Sequence, residues 1–198
     1  MQEEDDNLMV RVSASSKVFG FAWELVKIFA VAFFCVVLVK YYLFQPFCVK
    51  GASMEETYNN EDYIFIDRIG YRFHEPERLD VIVFRYPLNP SEFFIKRVIG
   101  LPGESVEIRS NKTYLYNIEH PNGIALDENA YLTPQQRTSD TPRVVLKEDQ
   151  YFVMGDNRSH SSDSRFWGPL DKKFITGRVF LTALPQSRFC HLIGKETR

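Results

Sequence analysis

The hydrophobic pattern changes character twice along the chain. Residues 1–17 are polar and open with an acidic cluster, Glu3, Glu4, Asp5 and Asp6. From Val18 to Leu43 the sequence is mostly apolar, and Ile28 to Val39 contains no polar side chain. A helix rises about 1.5 Å per residue and a bilayer core is about 30 Å thick, so Val18 to Val39 is long enough to cross. Glu24 and Lys27 then fall near one interface on the same helical face, where they can pair or snorkel. A helix apolar all round belongs in a membrane rather than in a folded core. Phe44-Gln45-Pro46-Phe47 stands where a cleaved leader would carry a small-residue site. The pattern therefore predicts a retained single-span anchor over 18–43. Arg11 and Lys17 before it balance Lys40 and Lys50 after it, so charge asymmetry assigns no orientation.

Beyond Leu43 the period switches to two, with short runs of Val, Ile, Phe and Tyr separated by Gly, Pro and Asn. Strands are predicted over Tyr63 to Ile69, Leu79 to Phe84, Phe93 to Leu101, Ser105 to Arg109, Thr113 to Tyr116, Tyr151 to Met154 and Gly177 to Leu184. Leu101-Pro102-Gly103 and Pro121-Asn122-Gly123 mark turns. Asn117 to Lys147 is polar and poor in strand pattern, which suggests an inserted loop or small subdomain. No second helix is expected. The fold class is all-β: a tail over 1–17, one transmembrane helix within 18–43, and an antiparallel-sheet domain over 44–198 with an insertion at about 109–147.

Composition narrows the chemistry. Of 198 residues, 24 are basic and 26 acidic, giving a net charge of -2 with no long basic run, so nucleic acid is not an expected partner. An apolar fraction of 44%, with 17 Phe, supplies a core and excludes a largely disordered chain. Cys35, Cys48 and Cys190 are too few and too scattered for a disulfide framework, and none forms a CxxC pair. No cofactor and no metal site is expected.

Three segments carry side chains that strand packing alone does not explain. Gly51-Ala52-Ser53-Met54 places a hydroxyl among small residues, where a bound chain can come close. In Phe93 to Glu104, a strand would put Phe94, Lys96 and Val98 on one face and Ile95, Arg97 and Ile99 on the other. Each face then holds one cation among apolar neighbours. Desolvation can turn a lysine into a base, because burial lowers its pKa by up to about 3 to 5 units; arginine cannot serve this way. The third segment, Gly155 to Arg165, is a run of Gly and polar residues between hydrophobic flanks, as in a cross-linked loop at a sheet end. Its spacing does not follow an EF-hand calcium loop. His160 in this loop offers a competing Ser-His-Asp arrangement with Ser53.

In order, these motifs resemble the bacterial type I signal peptidases, also called leader peptidases, which are membrane-anchored serine proteases with a Ser-Lys dyad. The resemblance covers about Val18 to Pro185. It is carried by Ser53-Met54, by Asp62-Tyr63-Ile64, by Lys96-Arg97-Val98-Ile99-Gly100-Leu101-Pro102-Gly103-Glu104, and by Gly155-Asp156-Asn157-Arg158, Ser161 and Asp163-Ser164-Arg165. It implies that Ser53 attacks the scissile carbonyl and that Lys96 takes its proton. Ser161 would hydrogen-bond the amine, while Asp163 with Arg165, and Asp156 with Arg97, would hold the final loop as ion pairs. The oxyanion would meet the Ser53 N–H; Gly51 stands where some members carry a helping serine. Phe44, Phe47 and Met54, flanking the nucleophile, would let the site approach lipid. Glu56 stands where the family pattern has proline, which suggests a carboxylate that raises the Lys96 pKa and a turn that proline would stabilise. The implied partners are secretory preproteins and the lipid bilayer, and the implied location is the cytoplasmic membrane, single-pass, with the β domain outside. A non-catalytic assembly factor binding secreted or pilus proteins, and an organellar inner-membrane peptidase, are the alternative readings.

Overall fold

The computed structural model describes residues 20–37, 44–183 and 196–197; the 1–17 tail, the ends of the anchor segment and Cys190 lie outside them. Helix α1, Gly20–Val37, is largely apolar and exposed along its length, and it is long enough to cross a membrane. Its Lys27 amine donates to the Glu24 carboxylate at 2.7 Å, one turn away.

A separate compact unit, the β domain, begins at Phe44. Its strands are β1 Phe44–Val49, β2 Tyr63–Asp67, β3 Val81–Tyr86, β4 Asn89–Gly100, β5 Ser105–Arg109, β6 Lys112–Tyr116, β7 Ile124–Ala125, β8 Thr141–Val145, β9 Gln150–Met154, β10 Leu170–Asp171, β11 Ile175–Ala183 and β12 Glu196–Thr197. One sheet runs β10-β9-β4-β12-β1-β2-β11-β3, with β3 also pairing β4. A smaller sheet runs β7-β6-β5-β8. Pairing is antiparallel except at β12, which lies parallel to both β1 and β4.

All seven sequence-predicted runs form strands, Ser105–Arg109 with the expected ends and the others with shifted ones; Leu184 lies outside the described residues. The sequence pattern does not predict strand β1, because Gln45 and Pro46 break its apolar run. Pro46 nevertheless sits opposite Phe65 of β2. The polar stretch before Lys147 holds β7 and β8, and the final loop contains a single-turn helix, α2, Ser164–Trp167.

The long strand β4 is the axis of the domain. It pairs β3 along one edge, with Ile82 opposite Lys96, and β9 along the other, with Met154 opposite Arg97. Val81 to Phe84 of β3 is buried on both faces, sending Val81 and Val83 into one cluster with Phe47, Met54 and Ile95, and Ile82 and Phe84 into another with Phe94 and Val98. Ile99 joins a third cluster with Val106 and Ile108 beneath the smaller sheet. Lys96 thus rides on a strand fixed by apolar packing on both sides, which limits its movement. Cys48 of β1 is disulfide-bonded and Cys35 is free. The chain therefore uses a disulfide, though not a framework of them.

Candidate active site

Strand β1 delivers the nucleophile candidate. Its last residue, Val49, exchanges backbone bonds with Glu61 and Asp62, after which the chain turns sharply. Gly51 opens that turn at φ 92°, a left-handed conformation that glycine adopts without strain, and its N–H donates to Asn60 Oδ1. Met54 is fully buried and plugs the turn into the first core cluster, while Ser53 beside it stays half-buried. The Tyr58 N–H closes the turn onto the Met54 carbonyl at 2.8 Å. Burial of Phe47 and Met54 corrects the expectation that these two side chains face lipid.

The amine of Lys96 lies 2.8 Å from Ser53 Oγ and 2.8 Å from the Ile95 carbonyl, donating to both. Lys96 is 1% exposed, and its Nζ stands 5.0 Å from the centre of the Phe94 ring on the same strand face. Burial pushes its pKa down to about 8, against the opposing pull of the Asp163 and Asp156 carboxylates. Desolvation wins because the carboxylates are already committed to guanidinium partners. At pH 7 about a tenth of this amine is therefore unprotonated, against far less than a hundredth for an ordinary lysine, and that fraction can accept a proton from the hydroxyl it touches.

The final loop closes over this pair. Gly155 leaves room for the approach: an added Cβ would stand 2.4 Å from the Ser53 carbonyl oxygen and 2.3 Å from Ser161 Oγ. The Asn157 N–H donates to the Ser53 carbonyl at 3.1 Å. Asp163 is fully buried; it accepts from Gly155 N and holds Arg165 through Nε and Nη2, both at 2.8 Å. Asp156 accepts from Arg97 Nε at 2.8 Å and Nη2 at 2.6 Å, and its Oδ2 also receives the Thr57 hydroxyl at 2.6 Å. One carboxylate thereby joins the nucleophile turn, the lysine strand and the final loop.

Three expectations need correction. The Ser161 hydroxyl is buried without a hydrogen-bond partner among the described residues, so it does not bond the amine; it packs over Gly155 instead. His160 is exposed, and its Nδ1 lies beside Asn157 Oδ1 and Ser159 Oγ, so it takes no part in an arrangement with Ser53. Glu56 is exposed, contacts the Thr133 hydroxyl at 3.3 Å, and is absent from the charges that act on Lys96.

The backbone at Glu56 has φ 81°. Proline fixes φ near about -65° and cannot adopt this value. The Glu56→Pro variant is therefore expected to be destabilised by more than about 1 kcal/mol, read as a lower melting temperature, rather than stabilised.

A serine hydroxyl held by a buried, partly neutral lysine on a β scaffold has the form of a serine hydrolase that uses lysine in place of histidine. Comparison with known proteins places the chain in a serine peptidase family. The pattern of the family described as signal peptidase, peptidase S26, matches residues 22–184. A probable signal peptidase I-1 of Synechocystis sp. is 33% identical over 181 residues, which cover 86% of this chain and 88% of the relative. Signal peptidase IB of Staphylococcus aureus is 32% identical over 183 residues, covering 84% and 92%. A solved signal peptidase I from Enterococcus faecalis shares 32% identity, covering 54% of this chain and 98% of that one, with a TM-score of 0.45. The chain belongs to the signal peptidase family, peptidase S26.

Proposed function

We propose that the protein is a membrane-anchored serine endopeptidase that removes signal peptides from exported preproteins, with Ser53 as nucleophile and Lys96 as general base. The observation that carries this reading is the 2.8 Å contact between a buried lysine amine and a serine hydroxyl. Ser53 Oγ attacks the scissile carbonyl carbon while its proton passes to Lys96 Nζ. The protonated amine then gives that proton to the departing amino group as the C–N bond breaks, leaving an acyl-enzyme on Ser53. Water attacks the ester, Lys96 accepts its proton, and return of that proton to Ser53 Oγ frees the signal peptide's new carboxyl end. The Ser53 N–H meets the oxyanion, and Gly51 adds no hydroxyl.

The substrate lies extended and pairs its backbone with the sheet near the pair, so affinity comes from main-chain bonds and selectivity from side-chain pockets. Helix α1 anchors the chain in the cytoplasmic membrane with the β domain on the extracytoplasmic side, where signal peptides emerge. Supporting this reading over a non-catalytic assembly factor, a pure binder has no need of an amine kept close to neutral beside a hydroxyl.

The test is the pH dependence of cleavage. Only the unprotonated amine accepts a proton, so kcat/KM for a preprotein is expected to rise with pH through a midpoint near the Lys96 value of about 8. A midpoint near about 6.5 would assign the base to a histidine and overturn the assignment.

A further inference from the structure

Sequence alone gives residues 117–147 no chemistry, yet the chain between β7 and β8 reaches back to all three parts of the site. Glu128 Oε2 accepts from Thr113 Oγ1 of β6 at 2.9 Å and its Oε1 from the Tyr131 hydroxyl at 2.8 Å, so its carboxylate is anchored on the smaller sheet. The same Oε1 pairs with Arg158 Nη2 at 2.5 Å. The Arg158 side chain is 0% exposed, and a guanidinium so buried requires an anion. The final loop that carries Arg158 does not supply that anion; Glu128 does. Arg158 also donates through Nε to the Gly155 carbonyl at 3.1 Å and through Nη1 to Thr138 at 3.3 Å. The adjacent Asn157 N–H is the group that holds the Ser53 carbonyl.

Tyr131 acts on the neighbouring strand. Its ring lies 4.2 Å from Arg97 Cζ and 6.0 Å from Arg158 Cζ. The ring face covers the guanidinium that binds Asp156 and, through it, Thr57 of the nucleophile turn. Cation–π contact and exclusion of water both favour one placement of Arg97.

We infer that Glu128 and Tyr131 are positioning residues for the Ser53–Lys96 pair. The smaller sheet is then a working part of the site: Glu128 fixes the loop that grips the nucleophile, and Tyr131 fixes the arginine next to the base. This rests on the reading of Ser53 and Lys96 as nucleophile and base. These contacts run to Arg158 and Arg97 and not to the Ser53 hydroxyl or the Lys96 amine, so their loss is expected to disturb the reaction geometry more than substrate binding.

The experiment measures kcat and KM separately for the detergent-solubilised full chain on a secretory preprotein, with thermal melts on each variant. Glu128→Gln, which keeps shape but removes the charge, is expected to lower kcat by roughly 10- to 100-fold with KM little changed. Tyr131→Leu should show the same split, whereas Tyr131→Phe, which keeps the ring on Arg97, should retain most of kcat. Wild-type kcat per folded molecule in Glu128→Gln and Tyr131→Leu, or a raised KM at unchanged kcat, would overturn the inference. Should Glu128→Gln fail to fold, the Tyr131→Leu and Tyr131→Phe pair decides. Ser53→Ala is run alongside: an active Ser53→Ala removes the underlying assignment. If Ser53→Ala is inactive while the Glu128 and Tyr131 variants match wild type, only this inference is removed.

Discussion

Ser53→Ala and Lys96→Met are each expected to lower kcat/KM by a factor on the order of 10⁴ to 10⁶ while leaving a folded protein. The two side chains share one proton, so loss of either stops its transfer. The melts should separate the two variants in a characteristic way. Met matches the length and burial of Lys96 without an amine to desolvate, and Lys96 sits in the core with a pKa lowered from 10.5 to about 8. A depressed folded-state pKa means that the stability available to neutral Lys96 is fully present above pH 10.5 and is lost as pH falls to 8. Lys96→Met should therefore melt at or above the wild-type temperature below pH 8, and the gap should narrow as pH rises from there. A Lys96→Met protein that melts well below wild type would mean that the amine holds the fold together, contrary to this account.

The second large effect falls on Asp156. It is 1% exposed and carries two bonds from Arg97 and one from Thr57. Asp156→Ala strands the Arg97 charge in a site where its side chain is only 10% exposed. Breaking a buried pair from one side costs about 3 to 5 kcal/mol, far more than a surface pair. Urea unfolding should show that loss, and removing Arg97 as well should restore much of it, because the uncompensated charge is then gone. Activity should not return in the double variant, since the nucleophile turn has lost its hold on the final loop. A loss of stability below about 1 kcal/mol in Asp156→Ala would indicate that water reaches Arg97 and that the pair is not sealed.

Much of this architecture is written locally in the sequence. The short apolar run Phe93 to Leu101, closed by Pro102-Gly103, reads as a strand, and a strand puts Lys96 on the face of Phe94 and Val98. The Asp, Arg and Ser density after Met154 by itself marks a bonded loop. What stays hidden depends on contacts distant in sequence or on backbone angles. Strand β1 is masked by Pro46 and by its adjacency to the apolar segment. The partnership of Glu128 with Arg158, 30 residues apart, leaves no periodic trace in a polar stretch. Glu56 reads as a lost proline, yet its φ of 81° shows a turn of different geometry. The Ser161 hydroxyl, placed by motif next to the amine, is turned onto Gly155 by the packing of the loop.

The most direct measurement of the central claim is a double-mutant cycle on preprotein cleavage with Ser53→Ala, Lys96→Met and the combined variant. If the hydroxyl and the amine 2.8 Å apart act as one unit, the double variant should be no slower than the slower single variant. Losses that multiply in the double variant would show two independent contributions, and residual turnover near wild type in either single variant would show that the reaction runs through other groups.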